Sequence, residues 1–220
     1  MPARILIVYG TTYGQTAKIA RYISDVLRSG GFEVRLLNAD VVPADFTLSN
    51  HDAVIVGASV HFHHHQHSVE RFVRAHRDTL NAMPSAFFSV SGAAAGAEEP
   101  DREDASGLLN AFLNRVGWQP AETAIFGGAI AYTRYKPWTR LMMRALSHRY
   151  GGPTDTSHDY EATDWLQVRR FADEVTARVE RPAAVAPGRE LGGSRPAVGR
   201  AVRIGSQQPD AQRETHILRP

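Results

Sequence analysis

The chain has 220 residues, 43% of them apolar, and a formal net charge of +2, which suits one globular domain or one domain followed by a tail. It contains no cysteine, which excludes a disulfide-stapled fold, a thiolate metal site and a catalytic thiol. Residues 183–220 carry six Arg and three acidic side chains. The remainder is therefore slightly acidic, and no nucleic-acid partner is expected.

The predicted elements alternate between strands and helices up to about residue 180. Runs rich in apolar residues predict strands at residues 5–9, 32–37, 53–58, 86–90 and 123–126, of which the first is continuous. Apolar residues at helical spacing predict helices between these runs, and a last helix near Trp165 with Thr163 as its N-cap. The segment from Asp40 to Asn50 is too short and too interrupted by proline for a helix. This alternation predicts an α/β fold with a parallel sheet covered on both faces.

Two domain-scale expectations follow from composition. Residues 1–181 form the folded domain, whereas residues 182–220 are rich in Pro, Gly, Arg and Ala without apolar periodicity and are expected to be disordered. The opening apolar run is too short for a secretory signal, and no run approaches the ~20 residues of a membrane span. We therefore expect a cytoplasmic protein.

The connection from the first strand to the first helix reads Tyr9-Gly-Thr-Thr-Tyr-Gly-Gln-Thr16. In parallel sheets, ligands bind where strands end and helices begin, and Gly10 and Gly14 would let the backbone approach an anion. The loop lacks the Gly-Lys-Ser/Thr of nucleoside-triphosphate sites, the GxGxxG spacing and the acidic residues of a magnesium site. It predicts a site for a phosphate monoester, with a ligand-free turn that caps the helix as the alternative.

This loop resembles the FMN-phosphate loop of the flavodoxin superfamily, which implies FMN as cofactor and a doubly wound five-stranded sheet of order 2-1-3-4-5. In that superfamily the loops after the third and fourth strands flank the isoalloxazine ring. His61 and Phe62 have side chains suited to packing on a flavin face. The implied cofactor-binding residues are Thr11, Thr12, Tyr13, Gly14, Gln15, Thr16, Ser59, Val60, His61, Phe62, Ser89, Val90, Ser91 and Gly92.

Further segments resemble the bacterial menaquinone-dependent protoporphyrinogen oxidase (protoporphyrinogen IX dehydrogenase) family over about residues 3–180. They include Gly128–Tyr135, Gly151–Thr156 and Thr163-Asp-Trp165. The resemblance implies a segment inserted after the fifth strand, and oxidation of protoporphyrinogen to protoporphyrin, in haem biosynthesis, with a quinone as electron acceptor. Since the flavin carries the chemistry, no side chain is nominated as catalytic.

The inserted segment, about residues 132–157, predicts a short basic amphipathic helix. Its cations and its apolar residues Trp138, Leu141 and Met142 recur at helical spacing. We expect it to lie on the inner face of the cell membrane near the flavin, or to contact porphyrin propionates. A surface helix packed on the sheet edge is an equally supported alternative. The candidate contacts to substrate or membrane are Arg134, Tyr135, Lys136, Arg140 and Arg144.

The acidic loop at residues 93–104 keeps other functions open, because its negative charge opposes a dicarboxylate substrate. A flavodoxin-type electron carrier, an FMN-dependent quinone or NAD(P)H reductase, or another small reduced substrate therefore remain alternatives. The histidines between His61 and His67 have irregular spacing and no neighbouring carboxylate, so they predict a polar loop at the flavin edge and no metal site.

Overall fold

The computed structural model describes residues 1–92, 99–149 and 152–180, with the backbone alone at residues 99–102 and 146. The predicted disordered tail and residues 93–98 of the acidic loop lie outside the described residues. Among the described helices, none combines the length and the apolarity needed to cross a bilayer.

Five parallel strands form the central sheet in the order β2-β1-β3-β5-β6, which confirms the predicted order and direction. A two-residue strand, β4, pairs antiparallel with the end of β3. The predicted fourth and fifth strands are therefore β5 and β6. The bounds are β1 Arg4–Gly10, β2 Glu33–Asn38, β3 Ala53–His61, β4 His64–His65, β5 Ser85–Ser91 and β6 Glu122–Gly127.

Helices cover both faces of the sheet, and the central strands β1, β3 and β5 are buried on both faces. The bounds of the helices are α1 Gln15–Ser29, α2 His67–Ala82, α3 Glu99–Val116, α4 Pro137–Arg149 and α5 Trp165–Glu180. One core joins α1 and α5 to the face that contains Ile5 and Phe88, and the other joins α2 and α3 to the face that contains Leu6 and Phe87. Between β2 and β3 the chain makes only a 3-10 turn, Ala39–Val41, as the proline-interrupted sequence predicts.

The N-cap of α5 is Asp164, so the prediction of Thr163 was wrong. Asp164 Oδ1 accepts hydrogen bonds from the backbone N–H groups of Leu166 (2.9 Å) and Gln167 (3.1 Å). Both residue types can cap a helix, but the Thr163 hydroxyl instead donates to the carbonyl oxygen of Gly127 at 2.7 Å.

The inserted segment is closed at its base by a small antiparallel ladder between β7 Ala129–Ile130 and β8 Tyr160–Glu161. Inside it, the 3-10 turn Tyr132–Arg134 precedes α4. Tyr132 is fully buried, and its hydroxyl donates to the carbonyl oxygen of Pro153 at 2.8 Å. The segment therefore has its own small core beside the carboxyl edge of the sheet.

Candidate functional site

The predicted phosphate loop, residues 11–14, connects β1 to α1. Its last residue, Gly14, is in the left-handed region, with φ of +98°. The Gly14 N–H donates to Thr11 Oγ1 at 2.9 Å, and no side chain caps the start of α1, a helix that the structure describes in full. The Thr16 hydroxyl is buried and has no hydrogen-bond partner within the described residues. Open helix N–H groups and an unpaired buried hydroxyl suit an anionic ligand.

Gln66 joins the phosphate loop to the loop after β3. Its Oε1 accepts from the N–H of Ser59 at 2.9 Å, and its Nε2 donates to Thr12 Oγ1 at 3.2 Å and to Ser59 Oγ. A β-carbon at Gly10 would lie 2.6 Å from Val69 Cγ2 and 3.0 Å from Gln66 Oε1. Gly10 is thus required by the close approach of Val69 and Gln66. No local pattern in the sequence indicates the role of Gln66.

A cavity of about 370 Å³ opens where the loops after β1, β3 and β5 meet the insertion. The insertion contributes Tyr135, Trp138, Thr139, Met142 and Met143 to its wall. The structure brings eleven of the predicted cofactor residues to this cavity: Thr11, Tyr13, Gln15, Thr16, Ser59, Val60, His61, Phe62, Val90, Ser91 and Gly92.

The other three predicted cofactor residues lie next to the cavity without lining it. Thr12 pairs with Gln66, whereas Gly14 lines a neighbouring groove of about 670 Å³ that shares Thr11, Tyr13 and Gln15 with the cavity. Ser89 is buried below the site, where its Oγ lies 2.9 Å from Nε2 of His65.

Aromatic rings line one side of the cavity. The Tyr13 ring meets Tyr135 and His61 edge-on, with centroid distances of 4.6 and 5.4 Å. Burial raises the pKa of Tyr135 and lowers the pKa of His61. Both side chains are therefore uncharged at neutral pH, which makes this wall apolar in character.

The loop after β3 has an unusual backbone at the mouth of the cavity. Phe62 and His63 are in the left-handed region, with φ of +48° and +63°, and the side chain of Phe62 is 79% exposed. Such conformations cost free energy in non-glycine residues and cluster at functional sites. An exposed phenylalanine held in this way is available to a bound molecule.

The histidines of this region point to different environments. His65 is buried, and desolvation together with the Arg115 charge lowers its pKa to about 4. His63 lies 4.0 Å from Asp104, whereas His61 borders the cavity. Within the described ranges, no group of three or more His, Asp or Glu side chains is arranged to hold a metal.

The predicted substrate or membrane residues divide by position. Tyr135 lines the cavity, and Arg134 lines the neighbouring groove. Lys136 and Arg144 are exposed and line neither. Arg140 Nε donates to the carbonyl oxygen of Tyr132 at 2.9 Å, so Arg140 holds the insertion together.

The Thr-Asp-Trp motif, residues 163–165, contacts α1 at its first residue and near its middle. Gln15 Nε2 donates to Thr163 Oγ1 at 2.8 Å, and Thr163 in turn donates to Gly127. The Trp165 ring packs against Tyr22 of α1 at 5.0 Å. The motif thus fixes the start of α1 against β6, a role that residues 148 positions apart could not reveal in sequence.

Comparisons with known proteins identify the family of the chain. The flavodoxin domain family model matches residues 6–157. Protoporphyrinogen IX dehydrogenase [quinone] of Escherichia coli (strain K12) is 34% identical over 179 residues, covering 81% of this chain and 98% of the relative. The protein of the same name from Leishmania major is 33% identical over 191 residues, covering 84% and 78%.

Among solved structures, the flavodoxin of Streptococcus pneumonia TIGR4 aligns with a TM-score of 0.50 and 15% identity, covering 80% of this chain and 99% of that chain. This likeness shows the fold alone. The family match and the two relatives show the family: the chain belongs to the flavodoxin domain family of flavoproteins and, within it, to the protoporphyrinogen IX dehydrogenase [quinone] family.

Proposed function

We propose that the chain is an FMN-dependent oxidoreductase that transfers electrons from protoporphyrinogen IX to a quinone. The observation that carries this proposal is the cavity itself. Its floor consists of the three loops at the carboxyl edge of the sheet, and its roof is the insertion, including Tyr135 and Met142. An electron carrier needs an exposed flavin edge, whereas a roofed cavity suits an enzyme that binds a substrate beside its cofactor.

The residues of the site fit a flavin nucleotide. The phosphate would lie at the start of α1, where the Thr16 hydroxyl lacks a partner among the described residues. The ring would lie between the loops after β3 and β5, near His61 and Val90. A volume of about 370 Å³ falls within the roughly 300–1,000 Å³ typical of cofactor pockets. Bound FMN would accept two electrons at a time from the porphyrinogen and pass them to the quinone.

The side chains of this chain would bind and orient the reactants. His61 and Tyr135 are neutral at neutral pH, because burial lowers the pKa of the His61 ring and raises the pKa of the Tyr135 hydroxyl. Phe62, Trp138 and Met142 add apolar surface at the mouth. This environment suits a neutral quinone head group and the apolar face of a tetrapyrrole. No described side chain needs to act as an acid or base.

The mouth of the cavity also suits a peripheral position on the inner face of the cell membrane, where quinones reside. Trp138 is 76% exposed and lines the same cavity as the exposed Phe62, and Leu141 is 58% exposed. Lys136 and Arg144 are exposed on the same segment. Apolar side chains flanked by cations are typical of segments that lie on anionic membranes.

An anaerobic turnover assay tests the proposal. Flavin-loaded protein, protoporphyrinogen IX and a soluble menaquinone analogue are mixed, and porphyrin fluorescence is followed. We expect fluorescence to rise only when protein and quinone are both present, and flavin-depleted protein to be inactive. If the flavin is bound but protoporphyrinogen does not reduce it, the dehydrogenase proposal is wrong. Reduction by a redox partner protein would then favour the electron carrier.

A further inference from the structure

Arg134 reaches from the insertion to the phosphate loop. Its Nη1 donates to the carbonyl oxygen of Tyr13 at 2.6 Å, and a β-carbon at Gly14 would lie 2.7 Å from the same nitrogen. The guanidinium therefore lies directly against the residue at which α1 begins. The two contacting segments are 121 positions apart in the chain.

This position places a positive charge beside the positive end of a helix. The start of a helix carries a partial positive charge, so a guanidinium beside it is repelled. The first turn of α1, which is described completely, contains no acidic residue to offset that repulsion. Arg134 therefore adds positive charge beside a helix start that has no capping side chain, and an anionic group bound there would interact favourably with both.

Two carboxylates, Asp159 and Glu161, line the same groove as Arg134, and neither pairs with it. Glu161 pairs with Lys18 at 2.5 Å, and Asp159 accepts from the N–H and hydroxyl of Thr133 at 2.8 and 2.9 Å. In the part of the chain that the structure describes, Arg134 forms no ion pair within 4.0 Å. A guanidinium has five N–H donors, so the bond to Tyr13 leaves the others available to a ligand.

We propose that Arg134 contacts the phosphate of the flavin nucleotide and makes the site selective for FMN over riboflavin. The inference rests on the proposed function, because it requires a flavin in the cavity. A phosphate monoester carries a charge of about −1.5 to −2 near pH 7 and accepts charge-assisted hydrogen bonds from Arg. Since Arg134 belongs to the insertion, the phosphate would also hold the insertion onto the loop.

Flavin titration separates this role from a structural one. Flavin-depleted wild-type protein and Arg134→Gln are titrated with FMN and with riboflavin, and quenching of flavin fluorescence is followed. We expect Arg134→Gln to weaken FMN binding roughly tenfold, the loss of a charge-assisted hydrogen bond at an exposed site. Riboflavin, which lacks the phosphate, should bind both proteins equally. Arg71→Gln, the same change at an exposed position on α2, should bind FMN like the wild type.

Several outcomes would overturn the inference. Equal FMN affinity in Arg134→Gln and wild type would do so, and so would an equal loss for FMN and riboflavin, which would indicate a structural role. The wild type gives an independent reading, because its FMN affinity should fall with added salt while its riboflavin affinity should not. If the wild type binds neither flavin, the proposed cofactor is wrong and this inference falls with it.

Discussion

Thr16 and Ser24 of α1 each bury a hydroxyl oxygen that has no partner in the described part of the chain. Only Thr16 borders the cavity. A buried polar group without a partner costs free energy, so its retention at Thr16 is explained if a ligand supplies the missing hydrogen bond. Ser24 lies about two turns further along the same helix and provides an internal comparison.

We predict that Thr16→Val weakens FMN binding roughly tenfold without lowering the stability of the flavin-free protein. Valine keeps the shape of threonine and removes only the hydroxyl. Ser24→Ala should leave FMN affinity unchanged. Fluorescence titration gives the affinities, and urea unfolding gives the stabilities. Wild-type affinity in Thr16→Val would show that this hydroxyl does not bind the phosphate.

His65 couples stability to pH through its burial. Its pKa is about 4 in the folded chain, against an ordinary 6.5, mainly because burial disfavours the charged ring. Between these values the unfolded chain binds a proton that the native chain does not. The contribution is therefore complete above pH 6.5 and is lost as the pH falls towards 4.

We predict that the free energy of unfolding falls by up to about 3 kcal/mol between pH 7 and pH 4 because of His65. In His65→Gln this part of the pH dependence should disappear, although the variant is less stable overall. His67→Gln removes an exposed histidine that does not act on the pKa of His65, and it should follow the wild-type curve. Urea unfolding at a series of pH values measures the slope, and identical slopes in all three proteins would contradict the assignment.

At the scale of elements, α4 has two functions in this account. Met143 packs against the small core formed by Tyr132 and Tyr135. Met142 and Trp138 line the cavity, and Trp138 and Leu141 are also largely exposed. Because Arg140 holds the backbone of the insertion, changing it would disturb the fold as well as the charge. A membrane test should therefore use the exposed apolar side chains.

We predict that the wild-type chain co-sediments with phosphatidylglycerol vesicles and that Trp138→Ser combined with Leu141→Ser reduces the bound fraction several-fold. Leu166→Ser, at a 64% exposed leucine on α5, should not change it. Neutral vesicles should bind the wild type more weakly, because the cations of α4 then lack anionic lipids. Equal sedimentation of all three proteins, or none, would remove the membrane contact from the proposal.

The sequence predicts elements well where local pattern determines them. The strands were found because a strand buried on both faces needs a continuous apolar run, and β3 proved longer than predicted because its end pairs with His64–His65. The contacts of Gln66, Arg134 and Thr163 were not predictable. They join residues 54, 121 and 148 positions apart, and such contacts follow from the packing of whole elements.

At the scale of the whole molecule, the candidate site lies along one edge of the sheet. The start of α1, the ends of β3 and β5, and the insertion after β6 all contribute to one cavity. The sheet places the first three together by its strand order. The insertion adds the roof, and its contacts through Tyr135 and Arg134 to Tyr13 keep it there.

The central claim is that this cavity holds FMN with its phosphate at the start of α1. Titration of the flavin-depleted chain with FMN, followed by absorbance and fluorescence, tests it most directly. We predict saturable binding of a single FMN per chain, tighter than the binding of riboflavin. A chain that takes up no FMN, or binds riboflavin equally well, would show that the cavity is not an FMN site.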